Sequence, residues 1–344
     1  MTDVRRDALE SEEASPSKRE TAPLSSDDRA LARGAHEAAT HATELVGEIV
    51  VAADDGARRV PFSVVVAPEG KLLVFSFLKD AAGSVIDRFD RDGRYLGTVA
   101  RLASGDGPGQ LRGPAGLALD PTGNMYIPDW QRHRIVKLDA GGRFVDEWGS
   151  EGSGEGELQG PRDIEIGDDG RILIADTENH RVQVWDARGA FVASFGAPVS
   201  EDDESRFLPS GRGDGEFSRP FGVTFDAQGR VWVADTNNHR VQRLSVERGF
   251  ELSFGKEGKG AGALDFPIDV RIDERGGVVV ADLGGMRIQW FSPDGALERA
   301  IVPMEAMPAG AAVADVDVDD EGNVLVPVGP LGRVFRVRAG APRA

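Results

Sequence analysis

The 344-residue chain contains no cysteine. That excludes disulfides, thiol nucleophiles and cysteine-ligated zinc. No apolar run approaches the ~18 residues a membrane helix needs. Met1–Thr21 is charged and lacks the apolar centre of a secretory signal, so a soluble, cytoplasmic protein is expected. Basic residues are scarce: 40 Lys and Arg stand against 58 Asp and Glu, for a net charge of −18. Residues 1–43 hold nine acids and six bases, so −15 remains on the rest. Such a surface repels polyanions, which disfavours nucleic acid and anionic membranes. It suits a basic protein or peptide, a cation or a neutral ligand.

Long helical patterns are also missing. In their place the chain repeats one pattern six times. The clearest copies are Gly113–Trp148, Gly160–Phe195 and Arg219–Phe254, with looser ones at Val60–Thr98, Phe266–Ile301 and Val313–Val337. Each opens with a short apolar alternation, then a turn ending in Gly123, Gly170, Gly229, Gly276 or Gly322. An apolar run, a polar tip and a third alternation follow. A second glycine turn then leads to a fourth strand ending in an aromatic. Prolines 61, 114, 161, 220 and 267 lie 53, 47, 59 and 47 residues apart. Four short strands with their turns need roughly 40–50 residues, the length of a propeller blade. The expected fold is therefore all-β: a six-bladed β-propeller with four antiparallel strands per blade.

The sixth repeat has only three good strands. An open edge there invites aggregation, so the apolar segment Leu45–Val51 is expected to pair with Arg333–Val337 and close the ring. The domain reading follows. Residues 1–43 form an acidic, mostly disordered leader, residues 44–338 the ring, and residues 339–344 a tail. The Ala-rich stretch 26–43 opens on Ser26-Asp27-Asp28 and is compatible with a short helix. Its one large apolar residue, Leu31, gives it little to dock with.

Four hairpin tips repeat a wording: Asp129-Trp130-Gln131-Arg132-His133-Arg134, Asp176-Thr177-Glu178-Asn179-His180-Arg181, Asp235-Thr236-Asn237-Asn238-His239-Arg240 and Asp282-Leu283-Gly284-Gly285-Met286-Arg287. Asp at one end can pair with Arg five residues on, across a partly exposed turn, for about 0.5–1 kcal/mol. The pattern Ala-Asp-Thr-x-Asn-His-Arg-Val-Gln resembles the signature of NHL repeats, a family of six-bladed propellers. That resemblance spans residues 60 to 337 and implies an architecture, not an activity.

Three tip histidines raise the question of zinc. Equivalent tips in neighbouring blades stand on the order of 10 Å apart, given strands spaced at about 4.8 Å. Ligands to one ion must converge at about 2.1 Å from it, so neutral histidines bonded within each tip are expected, and no metal.

Some NHL propellers are enzymes, among them the peptidyl-hydroxyglycine amidating lyase. In that family a zinc-binding histidine directly follows the blade-opening proline. The matching positions here are Phe62, Ala115, Arg162, Phe221 and Ile268, none of them histidine. The tyrosine that the family needs at a hairpin tip is also missing, since Tyr95 and Tyr126 fall within strands. That activity is excluded on those departures.

The glycine-rich stretches precede no helix and so cradle no phosphate. They read as crossovers anchored by Leu111, Leu158, Phe217 and Leu264. Arg212-Gly213-Asp214 within one of them reads as a chance adhesion triplet. Asp315–Asn323 lacks calcium-loop spacing and reads as a strand and turn.

What remains is a disc whose crossover face offers Phe62, Arg162, Phe221 and Ile268 near the axis. Trp130, Arg132, Glu178, Asn179, Asn237 and Asn238 stand farther out. The insertion Pro198–Gly215 adds the acids Glu201, Asp202, Asp203 and Glu204. Trp130 and Phe221 are aromatics at positions expected to be exposed, as interface anchors are. The expectation is a non-enzymatic platform for a protein or peptide partner of basic character, with no cofactor and no assigned catalytic residue. Tripartite-motif relatives of this architecture bind RNA through a basic face, which this chain lacks. The alternative is a lyase- or hydrolase-type enzyme in the axial pocket. Perturbed ionisable groups on the axis favour the alternative; a plugged axis favours the platform.

Overall fold

The computed structural model describes residues 44–52, 55–196, 211–301 and 315–338. The leader, the tail and the four acids of the insertion lie outside the described residues.

Alternation of period two builds six four-stranded antiparallel sheets in chain order. The inner strands are Arg59–Val66, Ala118–Leu119, Pro161–Ile166, Pro220–Phe225, Pro267–Ile272 and Asp317–Val318. The sixth sheet is completed from the other end of the chain. Glu44–Val50 pairs antiparallel with Arg333–Arg338, in register from Glu48 opposite Phe335 to Val50 opposite Arg333. The expected closure is present.

The core sits between blades rather than within them. Successive residues of a strand face opposite neighbours. In blade 3, Ile172 and Ile174 pack toward blade 2 with Ile135 and Tyr126. Leu173 and Ala175 pack toward blade 4 with Val223 and Val233. Six such clusters occupy the six interfaces. The cluster that seals blade 6 to blade 1 contains Ile49 and Val51 beside Val64, Val74, Phe89 and Val334. A single blade cannot bury both faces, so each one depends on its neighbours.

Leu111, Leu158, Phe217 and Leu264 are buried as crossover anchors. Parallel bridges pin three crossovers, at Ser104–Leu111, Glu151–Leu158 and Glu257–Leu264. The Arg212-Gly213-Asp214 triplet is structural in use: the Gly213 N–H donates to Glu216 and its carbonyl accepts from Arg240.

The closing strand gives a direct test of the ring. Ile49 is 4% exposed and Val50, next to it, is 57% exposed. Ile49→Ala is expected to lower the unfolding free energy by about 2–4 kcal/mol. Val50→Ala should change it by less than ~0.5 kcal/mol. Urea denaturation of the two variants checks this. Equal effects would mean that the strand does not seal the interface.

Candidate functional site

The hairpin tips are buried latches, not exposed ion pairs. Asp176 is fully buried and binds Arg181 Nε at 2.7 Å. It also accepts from Asn179, Gln183 and the Gln159 backbone N–H. Arg181 spends its other donors on the carbonyls of Ser153, Gly154 and Glu157 in the crossover of the same blade. Asp235–Arg240 repeats the arrangement at 2.7 Å and Asp282–Arg287 at 2.8 Å. Burial pushes all three aspartates up; the N–H donors and the arginine oppose it. Removing one partner of such a pair costs about 3–5 kcal/mol, well above the surface value expected from sequence.

Blade 2 departs from this pattern. Its tip carries Arg132 where blade 3 has Asn179, and Val136 where blade 3 has Gln183. Arg134 Nε stands 3.8 Å from Asp129, too far for the expected hydrogen bond. Arg134 pairs instead with Glu147 at 2.7 Å. Arg132 is exposed and reaches Asp106 at 3.1 Å.

The histidines are not bonded within their own tips. Each adopts a left-handed backbone (φ 53° to 54°), which points its ring at the next blade. Nδ1 of His133, His180 and His239 accepts the backbone N–H of Gly160, Arg219 and Phe266 respectively, at 3.0, 2.9 and 3.2 Å. Thr177 and Thr236 hydroxyls cross the same boundaries to the carbonyls of Pro220 and Pro267. An accepting Nδ1 requires neutral imidazole. Among the described residues no group of His, Asp and Glu is placed to hold a metal ion.

On the crossover face the structure brings Trp130, Arg162 and Phe221 together from three consecutive blades. The Arg162 guanidinium lies 4.3 Å from the Trp130 ring centroid and 5.4 Å from that of Phe221. Both aromatics are half-buried against the cation rather than free. Arg162 forms no hydrogen bond or ion pair with any described residue, and its Nε is buried without an acceptor. Burial lowers its pKa; Glu178 opposes that and Arg219 adds to it. Glu178 itself is held by Arg219 through both oxygens, at 2.8 and 2.6 Å.

Other residues assigned to this face behave differently. Phe62 stacks on Phe77 and Phe75 in its own blade. Ile268 packs against the core between blades 5 and 6. Asn237 stays half-exposed. Asn179 is fully buried, bonded to Gly152 and Asp176, so it does not line the face. Asn238 makes the equivalent bonds to Gly211 and Asp235. Both amides are latch parts, because the fourth residue of the tip points back into its own crossover.

The axis is plugged, and the plug is ionic. Arg271 binds Asp269 at 2.6 Å and Asp163 at 3.3 Å, with Asp315 at 3.7 Å. These carboxylates also cap the inner edges of neighbouring blades. Asp163 accepts from Val223 N–H, Asp269 from Val316, Asp315 from Val64 and Asp317 from Val66. An inner strand has no further strand to pair with, so its edge amides need such acceptors. Asp315 and Asp317 thus serve the strand-and-turn role read from their alternation.

Beyond the plug, on the face opposite the crossovers, lies a cavity of about 350 Å³ lined by Glu165, Arg271, Asp273, Glu274 and Asp317. Burial pushes Asp317 up to about 6 and Glu165 up to about 8. Arg271 opposes the Glu165 shift, while Asp317, Asp163 and Asp168 reinforce it. The Glu165 carboxyl makes no hydrogen bond or ion pair with a described residue. Sequence reasoning missed it, since one Glu in an alternating strand carries no signal of its own.

An NHL repeat profile matches residues 158–185 and 217–244. Those segments contain the two most complete latches. The chain is a six-bladed propeller that carries NHL repeats in blades 3 and 4. "Protein brain tumor" of Drosophila melanogaster is 46% identical over 43 residues, which is 12% of this chain and 4% of that protein. The match therefore covers only a small fraction of that relative. Among solved structures, a catalytically inactive virginiamycin B lyase from Staphylococcus aureus, with quinupristin, matches with a TM-score of 0.58. The identity is 13%, over 86% of this chain and 99% of that one. A streptogramin B lyase structure matches at 0.54 with 14% identity, over 80% and 78% of the two chains. At such identities the likeness concerns the fold alone. No helix among the described residues is long and apolar enough to cross a membrane.

The latches carry a pH signature. Burial lowers the His180 pKa below the ordinary 6.5. A depressed folded pKa stabilises the fold above the unfolded value and loses that contribution as pH falls through the folded one. Stability should therefore fall between pH 6.5 and the lowered pKa, and His180→Asn should flatten that slope. Denaturant titrations at half-unit pH steps check this. An unchanged slope would show that His180 does not bridge blades 3 and 4.

Proposed function

We propose that this NHL propeller is a binding platform whose crossover face receives a protein or peptide partner. The observation that carries the reading is the Trp130–Arg162–Phe221 stack. Three blades converge on a cation whose hydrogen-bonding capacity no described residue uses. Aromatic and arginine side chains in a preorganised cluster are the residues that dominate interface energetics. The net charge of −18 steers basic partners toward the disc at a distance. Selection of displayed peptides against the full chain tests this. Enriched peptides should lose at least about tenfold in affinity on a Trp130→Ala, Phe221→Ala variant, about 1.4 kcal/mol or more. They should keep their affinity for Val145→Ala, an exposed change on the outer rim of blade 2. Equal affinity for all three proteins would place binding elsewhere.

One observation favours a second reading, a lyase- or hydrolase-type enzyme in the axial cavity. Glu165, with its pKa near 8, is a neutral acid at pH 7 in a desolvated hollow beside Arg271. That is the state a general acid requires. A raised folded pKa gives stability that is fully present below the unfolded 4.5 and lost as pH rises through 8. Glu165→Gln should thus recover about 2 kcal/mol or more of stability at pH 9 relative to pH 4, each pKa unit being worth about 1.4 kcal/mol. Parallel pH–stability curves for the variant and the wild type would remove the acid, and this reading with it.

A further inference from the structure

We infer that Arg162 is a receptor for a single carboxylate, presented by the partner as an acidic side chain or as a chain terminus. The inference rests on the platform reading and names the group that the face would recognise. The first reason is saturation. Apart from Glu165, at the far end of the same strand, every other charged side chain of the described inner strands is committed. Arg59 holds Asp55 and Asp87, Arg271 holds Asp269 and Asp163, and Asp163, Asp269 and Asp317 cap strand edges. Arg162 has five N–H donors and no acceptor among the described residues, and one of those donors, at Nε, is buried. A buried donor left unbonded costs about 1–3 kcal/mol, and the Nη1 and Nη2 donors are not buried and remain to meet an incoming acceptor.

The second reason is geometry. The guanidinium lies against the Trp130 and Phe221 rings with its Nε buried, so the Nη1–Nη2 edge is the part left to offer. That edge is a fork of parallel N–H bonds, which matches the two oxygens of a carboxylate. The clamp also fixes the side chain before binding, which reduces the ordering cost of association.

The third reason is charge. Glu178 is near enough to influence Arg162, yet both its oxygens bond to Arg219. One uncompensated cation beside an existing acid, on a chain of net charge −18, suits a monoanion. A phosphate dianion or a nucleic-acid backbone would meet repulsion. Long-range attraction for basic partners and a local carboxylate contact are compatible: a basic segment with one acidic residue or a free C-terminus satisfies both.

The experiment follows the Arg162 Nε–Hε and Trp130 Nε1–Hε1 resonances of the ¹⁵N-labelled full chain, assigned with Arg162→Lys and Trp130→Phe. The probes are N-acetylglycine for a chain terminus, N-acetylglutamate α-amide for an acidic side chain, N-acetylglycinamide as neutral control, inorganic phosphate and chloride. At least one carboxylate probe should shift both resonances saturably, with a midpoint of about 1–30 mM, and the tighter probe names the source. The Trp130 shift should vanish in Arg162→Gln, whose melting temperature verifies folding. No saturation by either carboxylate up to about 100 mM would overturn the inference. So would equal shifts from chloride or the neutral amide, tighter binding of phosphate, or a Trp130 shift that survives in Arg162→Gln. If carboxylates fail while displayed peptides still need Trp130 and Phe221, only this inference falls. If carboxylates bind but no peptide needs the face, the platform reading falls instead.

Discussion

The buried aspartate at the hairpin tips of blades 3, 4 and 5 is the constraint on which the rest of this ring depends. The crossovers it organises are glycine-rich and contribute few apolar side chains, so hydrophobic burial alone cannot shape them. Asp176, Asp235 and Asp282 each accept a backbone N–H from the crossover of their own blade. Their arginines in turn collect the carbonyls of the same loop, as Arg240 does with Arg212, Gly213 and Glu216. One ion pair thus satisfies both polarities of a loop that would otherwise leave its backbone unbonded. The loop then delivers the blade-opening proline, and with it the residues at the mouth of the axis. Arg162 and Phe221 are where they are because the latches fix the two residues before them.

One set of polar bonds between blades runs in one direction around the ring, from a blade to the next. His133, His180 and His239 reach forward on the crossover side. Asp163, Asp269, Asp315 and Asp317 reach forward along the axis. Apolar clusters fill the space between these two levels. Hydrophobic contact is non-directional and would tolerate a small rotation of one blade against another. Hydrogen bonds at both the rim and the axis do not, because a displaced donor costs more than the bond returns. The ring is therefore specified by its polar ends and stabilised by its apolar middle.

How much of this was legible in the sequence follows from the distance over which each signal acts. The blades were legible because alternation, glycine turns and prolines recur locally. Closure by the strand before blade 1 was legible because the sixth repeat lacks an edge partner. The Asp–Arg pairs were visible at five-residue spacing, but their burial was not, since that depends on a crossover some twenty residues upstream. Asn179 looked like a surface amide for the same reason. The histidine bonds escaped because their acceptor geometry needs a left-handed backbone that sequence does not announce. Trp130, Arg162 and Phe221 were each picked out singly. That they form one stack depends on the angle between blades, which no periodicity encodes.

The same distinction decides where function can reside. An acidic axis invites a catalytic reading, yet its aspartates are fully occupied with strand edges and with Arg271. Charges with a structural task are held in place by their bonds, which leaves them little to offer a ligand. Arg162 and Glu165 are the charged groups of the described inner strands without such a task, and both belong to the inner strand of blade 3. They point the functional question to the two ends of one strand, the mouth on the crossover face and the cavity on the other. The mouth is the stronger candidate. Its cation is clamped by side chains from three blades, whereas Glu165 is left free by the absence of a partner rather than held by the presence of one. A fold that uses nearly every inner charge for closure leaves Arg162 unpaired among the described residues, at the mouth where a partner would reach it.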